Sequence, residues 1–390
     1  MKILNVSTLI PLKNLKKEND IILRIQSYLE KNYDYKFKVA KSLPYVNNAL
    51  SKLSEKWSNY YYYQSKKKVN VHGFETLIYG WIAPPTSNFW LNYFFIPFNW
   101  LLYKLRYKTD FDNLARGVKL VIAQNTIPDS VIAYWISKRH GIPYIIFERE
   151  QGRYSNIQKK LPFINIVYKS CDQFFTPNPT ISKNEFYGKK IELLPHPVDP
   201  HFFLEEYKKI SLDNPKIITA ARLFDWKQID LVISTLGELK KLGYRFEYTL
   251  IGEGPEYLNL KDLAKKERLD DCVRFKKFVS STELAIEFKS SDIFLLTSYP
   301  ETLGRVYLES AASGCLIIGH KNTGVDGLFK HKESAIFVNR NTILDNLLML
   351  FSKNSTIQAQ EIAQRGNSIV KDLSWENIGD KYHEIFSKYK

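Results

Sequence analysis

The sequence predicts an α/β protein built from two doubly wound parallel-sheet domains, and three observations carry that expectation. The chain has 390 residues, 44% of them apolar, which is enough for two ordinary cores. Short apolar runs alternate with segments of helical spacing along most of its length, the signature of βαβ units. Charge and glycine are unevenly divided. Residues 1–200 carry 29 Lys+Arg against 15 Asp+Glu, or +14, and 6 of the 17 glycines; residues 201–390 carry 27 against 26, or +1. One half is basic and aromatic, the other neutral and rich in turns.

In chain order, Met1 to Ser7 reads as a strand and Asp20 to Leu29 as a helix. Residues 118–125, a helix across 128–139 and the run Pro143 to Phe147 repeat that alternation. The boundary is expected near His196 to Pro215, where Pro195, Pro197, Pro200 and Pro215 interrupt periodicity. Beyond it the expected strands are Lys216 to Ala221, Glu247 to Ile251, Val273 to Phe275, Asp292 to Leu296, Cys315 to Ile318 and Ala335 to Val338, with a last helix over Trp375 to Tyr389. The expected organisation is a first domain over 1–195, a second over 196–372 and a crossover segment over 373–390 packing back on the first. Two such sheets would face a central cleft, with ligand at their carboxyl ends.

Four constellations of the second half point to that cleft. Arg222 and Lys227 put two cations on the loop after one strand, the first able to hold a phosphate in bidentate fashion. Gly252 and Gly254 close the next strand in a turn that permits close backbone approach. Residues 299–314 place Glu301 and Glu309 across Gly304, the first in a loop and the second in a helix expected to start near Arg305 and end near Gly314. Exposed amides at that helix start would favour an anion, while carboxylates accept hydrogen bonds from vicinal hydroxyls. Together these describe a nucleotide-diphosphate sugar; taken alone, two glutamates at this spacing also fit a solvated helix face. The fourth constellation is the glycine-bearing loop from Gly319 to Gly327.

In order and spacing, residues 215–340 resemble the nucleotide-binding domain of the family-4 (group 1) retaining glycosyltransferases, which have the GT-B fold. The matching pieces are Arg222 with Lys227, Gly-x-Gly-Pro at 252–255, Glu301 with Glu309, and Gly-Cys-Leu-Ile-Ile-Gly at 314–319. Weaker likeness appears at Met1 to Ser7, at 141–148 and at Leu-Pro-His-Pro-Val-Asp, 194–199. The resemblance implies a hexosyltransferase-type enzyme without cofactor or metal. Its donor would be a UDP- or GDP-sugar and its acceptor a glycan or lipid-linked molecule of a bacterial-type surface polysaccharide or glycolipid. It implies that Arg222 and Lys227 hold the diphosphate, that Glu309 receives the ribose hydroxyls, and that Glu301 holds the sugar and distal phosphate with the amides of Thr302, Leu303 and Gly304. No Asp-x-Asp element is present. The chain departs from the family pattern in the glycine-free loop Thr8 to Asp20, in Arg149 where a histidine is common, and in His196-Pro197. Arg149 is either a sugar or acceptor contact or a surface residue.

The three cysteines, Cys171, Cys272 and Cys315, have no metal-ligand spacing, and no apolar run of about twenty residues occurs. The expected setting is cytoplasmic, peripheral on the inner membrane face if the basic half docks there. Tyr60 to Tyr63, Lys66 to Lys68 and the aromatic run from Phe89 to Leu105 either pack against the first sheet or dock on anionic lipid. Nucleic acid is not expected, since no recognisable motif accompanies the charge. A nucleotide-sugar epimerase or phosphorylase of the same fold and a non-catalytic membrane- or nucleic-acid-binding protein stay open, though the lysine site a phosphorylase needs is not found.

Overall fold

The structure is a computed structural model that describes residues 1–13, 15, 20–83, 94–149, 162–183, 185–186, 189–352 and 355–390. It divides into two compact units. One comprises Met1–Thr176, Ile181–Leu193 and Gly379–Lys390, the other Pro177–Thr180 and Leu194–Ile378.

The first unit is built on nine described strands: β1 (Lys2–Val6), β2 (Lys36–Pro44), β3 (Lys68–Val71), β4 (Phe74–Trp81), β5 (Val118–Ala123), β6 (Tyr144–Phe147), β7 (Phe174–Thr176), β8 (Glu185–Phe186) and β9 (Lys189–Leu193). They lie in the order β3-β4-β2-β1-β5-β6-β7-β9-β8, parallel except where β3 meets β4 and β8 meets β9. Four of the five residues of β1 are buried, as a strand covered on both faces requires. Leu4 sits opposite Lys38 on β2 and Val121 on β5. The β3–β4 hairpin is absent from the sequence expectation. Its turn holds His72 and Gly73 at positive φ, the twist that suits a two-residue hairpin, and Asn70 Oδ1 accepts from the Gly73 amide at 3.0 Å.

One sequence expectation for this half changes. The helix expected over 128–139 starts at Val131, after a π turn over Thr126–Ser130. In the tri-lysine run Lys67 pairs with Asp110 at 3.1 Å, Lys68 with Glu75 at 2.6 Å, and Lys66 Nζ lies 4.5 Å over the Tyr62 ring. The four tyrosines before it belong to a helix over Glu55–Lys66 capped by Ser54, with Tyr63 buried. Of the aromatic run, Phe89 to Tyr93 lie outside the described residues. The rest forms a helix over Ile96–Leu102 that passes through a π turn, Tyr103–Tyr107, into a helix over Lys108–Ala115. Ile96, Tyr103, Tyr107 and Phe111 face the core with Tyr79, Trp81 and Trp135.

The second unit carries β10 (Lys216–Ala220), β11 (Glu247–Ile251), β12 (Val273–Lys276), β13 (Ile293–Leu296), β14 (Leu316–His320) and β15 (Ile336–Val338). All are parallel, in the order β12-β11-β10-β13-β14-β15. Each falls within two residues of its sequence expectation. This order reverses between β10 and β13, so the loops leaving those two strands flank the switch point of a doubly wound sheet. The helix Arg305–Ala312 follows the β13 loop, and the last helix runs from Trp375 to Ser387.

Candidate donor site of the second unit

The loop after β10 is fixed by its neighbour. Leu223 N–H donates to Glu253 O at 2.9 Å and Glu256 N–H to Leu223 O at 3.1 Å. Gly252 and Gly254 permit this contact: a Cβ on the first would stand 1.9 Å from Ala221 O, and on the second 2.3 Å from Leu223 O. The close approach the sequence suggested is therefore made to the arginine-bearing loop. Arg222 is exposed and lies over the Phe224 ring at 5.8 Å; among the described residues no carboxylate pairs with it. Phe224 stacks on Trp226 at 4.3 Å.

The loop after β13 brings Glu301 to this cation-bearing turn. Lys227 Nζ meets Glu301 Oε2 at 2.5 Å, with the two side chains 17% and 13% exposed. Glu301 is held from behind: its amide donates to Thr323 Oγ1 at 2.7 Å, and its carbonyl accepts from the Gly324 amide at 3.0 Å. The Thr302 amide donates to Glu301 Oε1 at 3.2 Å, and Leu303 is buried. Gly304, at φ +68°, caps the helix start; a Cβ there would strike the Tyr307 ring at 2.6 Å. Tyr307 is fully buried and donates to Leu296 O at 2.6 Å, and burial, then the Glu301 charge, pushes its phenol pKa well up.

Glu309 is nearly buried, and Arg305, one helical turn earlier, meets its Oε1 at 3.1 Å. Arg305 also approaches Asp199 at 4.0 Å, and Asp199 accepts from Trp375 Nε1 at 2.8 Å. Sequence reading missed this chain of contacts. The i,i+4 spacing of Arg305 and Glu309 was a usable signal, whereas Asp199 and Trp375 lie 176 positions apart. Both glutamates are thus cation-paired.

Arg149 belongs to the first unit. Its Nε donates to Gln124 Oε1 at 2.6 Å and its Nη2 to Tyr382 OH at 3.1 Å, with Phe147 beneath at 5.3 Å. His196 is buried. The start of the glycine-free loop is closed by side chains: Thr8 N–H donates to Asp129 Oδ2 at 3.0 Å, Leu9 N–H to Ser7 Oγ at 3.0 Å, and Lys41 Nζ donates to Thr8 O at 2.5 Å. Burial pushes the thiols of Cys171, Cys272 and Cys315 up to about 11, so they stay protonated near neutrality. Among the described residues, no three His, Cys, Asp or Glu side chains cluster as metal ligands, and no helix is long and apolar enough to cross a membrane.

Two doubly wound sheets, one in the strand order of a nucleotide-binding fold with cations and carboxylates at its switch point, make up the GT-B fold. Residues 203–367 match the family model for glycosyl transferases group 1. The chain is 25% identical over 171 residues to the alpha-monoglucosyldiacylglycerol synthase of Streptococcus pneumoniae, covering 44% of this chain and 38% of that protein. It is 30% identical over 226 residues to an uncharacterized glycosyltransferase of Haemophilus influenzae, covering 56% and 62%. The chain thus spans less than two thirds of either relative. Among solved structures, Anabaena HepE in complex with UDP aligns over 100% of both chains with a TM-score of 0.70 at 14% identity, which shows the fold.

Proposed function

We propose that the protein transfers a hexosyl group from a UDP- or GDP-sugar to a glycan or lipid-linked acceptor, with retention and without a metal, at the cytoplasmic face of a membrane. The Lys227–Glu301 pair at 2.5 Å, set at the β10–β13 switch point on the loop that also holds Arg222, a residue with no carboxylate partner among the described residues, carries this reading. The names of the relatives, one a glycolipid synthase and one a glycosyltransferase, support it.

When the anomeric C–O bond breaks, its electron pair moves onto the diphosphate and the sugar gains oxocarbenium character. Fixed cations aimed at the leaving oxygens lower that barrier without reorganising, the role assigned to Arg222 and Lys227. The acceptor oxygen bonds to the anomeric carbon on the departing face, and its proton passes to the leaving phosphate, so no protein nucleophile is needed. Glu301 neutralises Lys227 in their ion pair. A donor phosphate offers Lys227 a second anion, and Glu301 can then accept from sugar hydroxyls. Glu309, held by Arg305, accepts from the ribose diol.

Thermal unfolding with nucleoside diphosphates tests the reading. A ligand present at a hundred times its Kd stabilises by about 2.7 kcal/mol, enough to raise Tm by several degrees. UDP or GDP should do so, and transfer or slow hydrolysis should follow with one donor of a nucleotide-sugar panel. An unchanged Tm with every common nucleoside diphosphate would favour a binding protein without this activity.

A further inference from the structure

The first unit contains a second cavity-forming surface that the donor site does not use. The helix Ile96–Leu102 and the turn after it bury one face in the core, and the opposite face exposes Phe98 by 50% and Leu105 by 79%, with Phe94, just before the helix, exposed by 62%. A soluble surface rarely keeps such a contiguous apolar patch without a partner. The one polar side chain buried in this helix, Asn99, is satisfied locally by Ile82 N–H at 2.7 Å and by the carbonyls of Ile82 and Phe95 at 2.9 and 3.0 Å.

This face is one wall of a cavity of about 1570 Å³, whose other wall comes from Tyr134, Trp135 and Phe163. Its rim is cationic. Lys104, Lys108 and Lys138 line it, and among the described residues none is ion-paired; Lys104 Nζ lies 3.7 Å over the Trp100 ring and Lys138 Nζ 5.7 Å over Tyr134. Arg139, also on the rim, is committed elsewhere. It holds Asp112 through bonds of 2.6 and 2.8 Å and keeps that carboxyl below its usual pKa range.

We propose that this cavity takes the hydrocarbon chain of a phosphate-bearing lipid, with Lys104, Lys108 and Lys138 holding the phosphate. Compact ammonium groups suit a phosphate of variable geometry, and their stems can lie along the apolar wall while the charges stay in water. A concave wall of aromatic rings fits an inserted chain; a flat bilayer surface would contact only its rim. The tri-lysine run at 66–68 plays no part, because two of its members already hold carboxylates. If such a lipid is the acceptor, that conclusion rests on the glycosyl-transfer reading; the binding itself does not.

Trp100 and Trp135 make the cavity its own reporter. Lysophosphatidic acid with a brominated chain, titrated below its micellar concentration, should quench tryptophan emission, and Trp100→Phe should lose part of that quenching. The triple variant Lys104→Glu, Lys108→Glu, Lys138→Glu, checked for an unchanged circular dichroism spectrum, should need more than tenfold more lipid for half-quenching. Equal quenching by a brominated monoacylglycerol, an unchanged titration in the triple variant, or quenching only when the lipid is presented in vesicles would each overturn the proposal. UDP or GDP stabilisation measured on the same samples reports the donor reading separately, since none of these residues belongs to the second unit.

Discussion

Both units place a sheet reversal next to a loop that could receive a ligand, yet they treat it in opposite ways. At the first, between β1 and β5, several protein groups hold one another beside a cavity of about 630 Å³ that Thr8 and Lys41 line: Asp129 takes the Thr8 amide, Lys41 the Thr8 carbonyl, Gln124 Nε2 donates to Asn5 Oδ1 at 3.0 Å, and Arg149 donates to Gln124. At the second, between β10 and β13, the ionic groups are partly exposed and one cation, Arg222, is unpaired among the described residues. Strand order therefore locates where a ligand could bind, and side-chain contacts decide which groups there are already held.

The largest effect that tests this contrast is on turnover. Lys227→Ala and Glu309→Ala should each lower kcat by more than about tenfold with the fold intact by circular dichroism, because each removes a polar contact to donor. Near-normal rates in both would dissolve the distinction between the two loops. At the first reversal the effect should fall on stability. Asp129→Ala removes a buried acceptor of the Thr8 amide and should cost about 1–3 kcal/mol in chemical denaturation, while the Tm increment from UDP or GDP stays the same. A lost nucleotide increment would mean that the first loop serves the donor after all.

Arg305→Lys sharpens the comparison within the open site. It keeps the charge but replaces the planar guanidinium that reaches both Glu309 and Asp199 with a single ammonium, so KM for the donor should rise several-fold with little change in kcat. The smallest expected effect is a pH limb. His331 Nδ1 accepts the Phe337 amide at 2.9 Å, and burial, then Lys332 and Lys321, depress its pKa. The unfolded chain therefore takes up this proton first. Stability is complete above the ordinary value near 6.5 and is lost as pH falls through the folded value. His331→Gln should flatten that limb in Tm measured from pH 7.5 to 5.

Most of the second unit was legible because a strand covered on both faces is a near-continuous apolar run, as in Ile217-Ile218 and Phe294-Leu295-Leu296, and such runs mark their own ends. The loops were legible as residue types in order: Arg222, Lys227, Gly252, Glu301 and Glu309. What those side chains touch was not. A charge run such as Lys66 to Lys68 looks uniform until folding delivers Asp110, 43 positions on, to one of its members. The same run hid β3, whose residues Lys68–Val71 pair antiparallel with β4. Trp375 and Asp199 show no local sign of one another.

The fit of Gly252 and Gly254 against Ala221 and Leu223 bears on how such a loop can be redesigned. A 2.3 Å approach leaves no room for either partner to change shape alone. Residues 221–227 and 252–256 are consequently one transplantable cassette in two pieces. Moving the cation-bearing piece into another scaffold without its glycine partner would leave it propped open by a single misplaced methyl group.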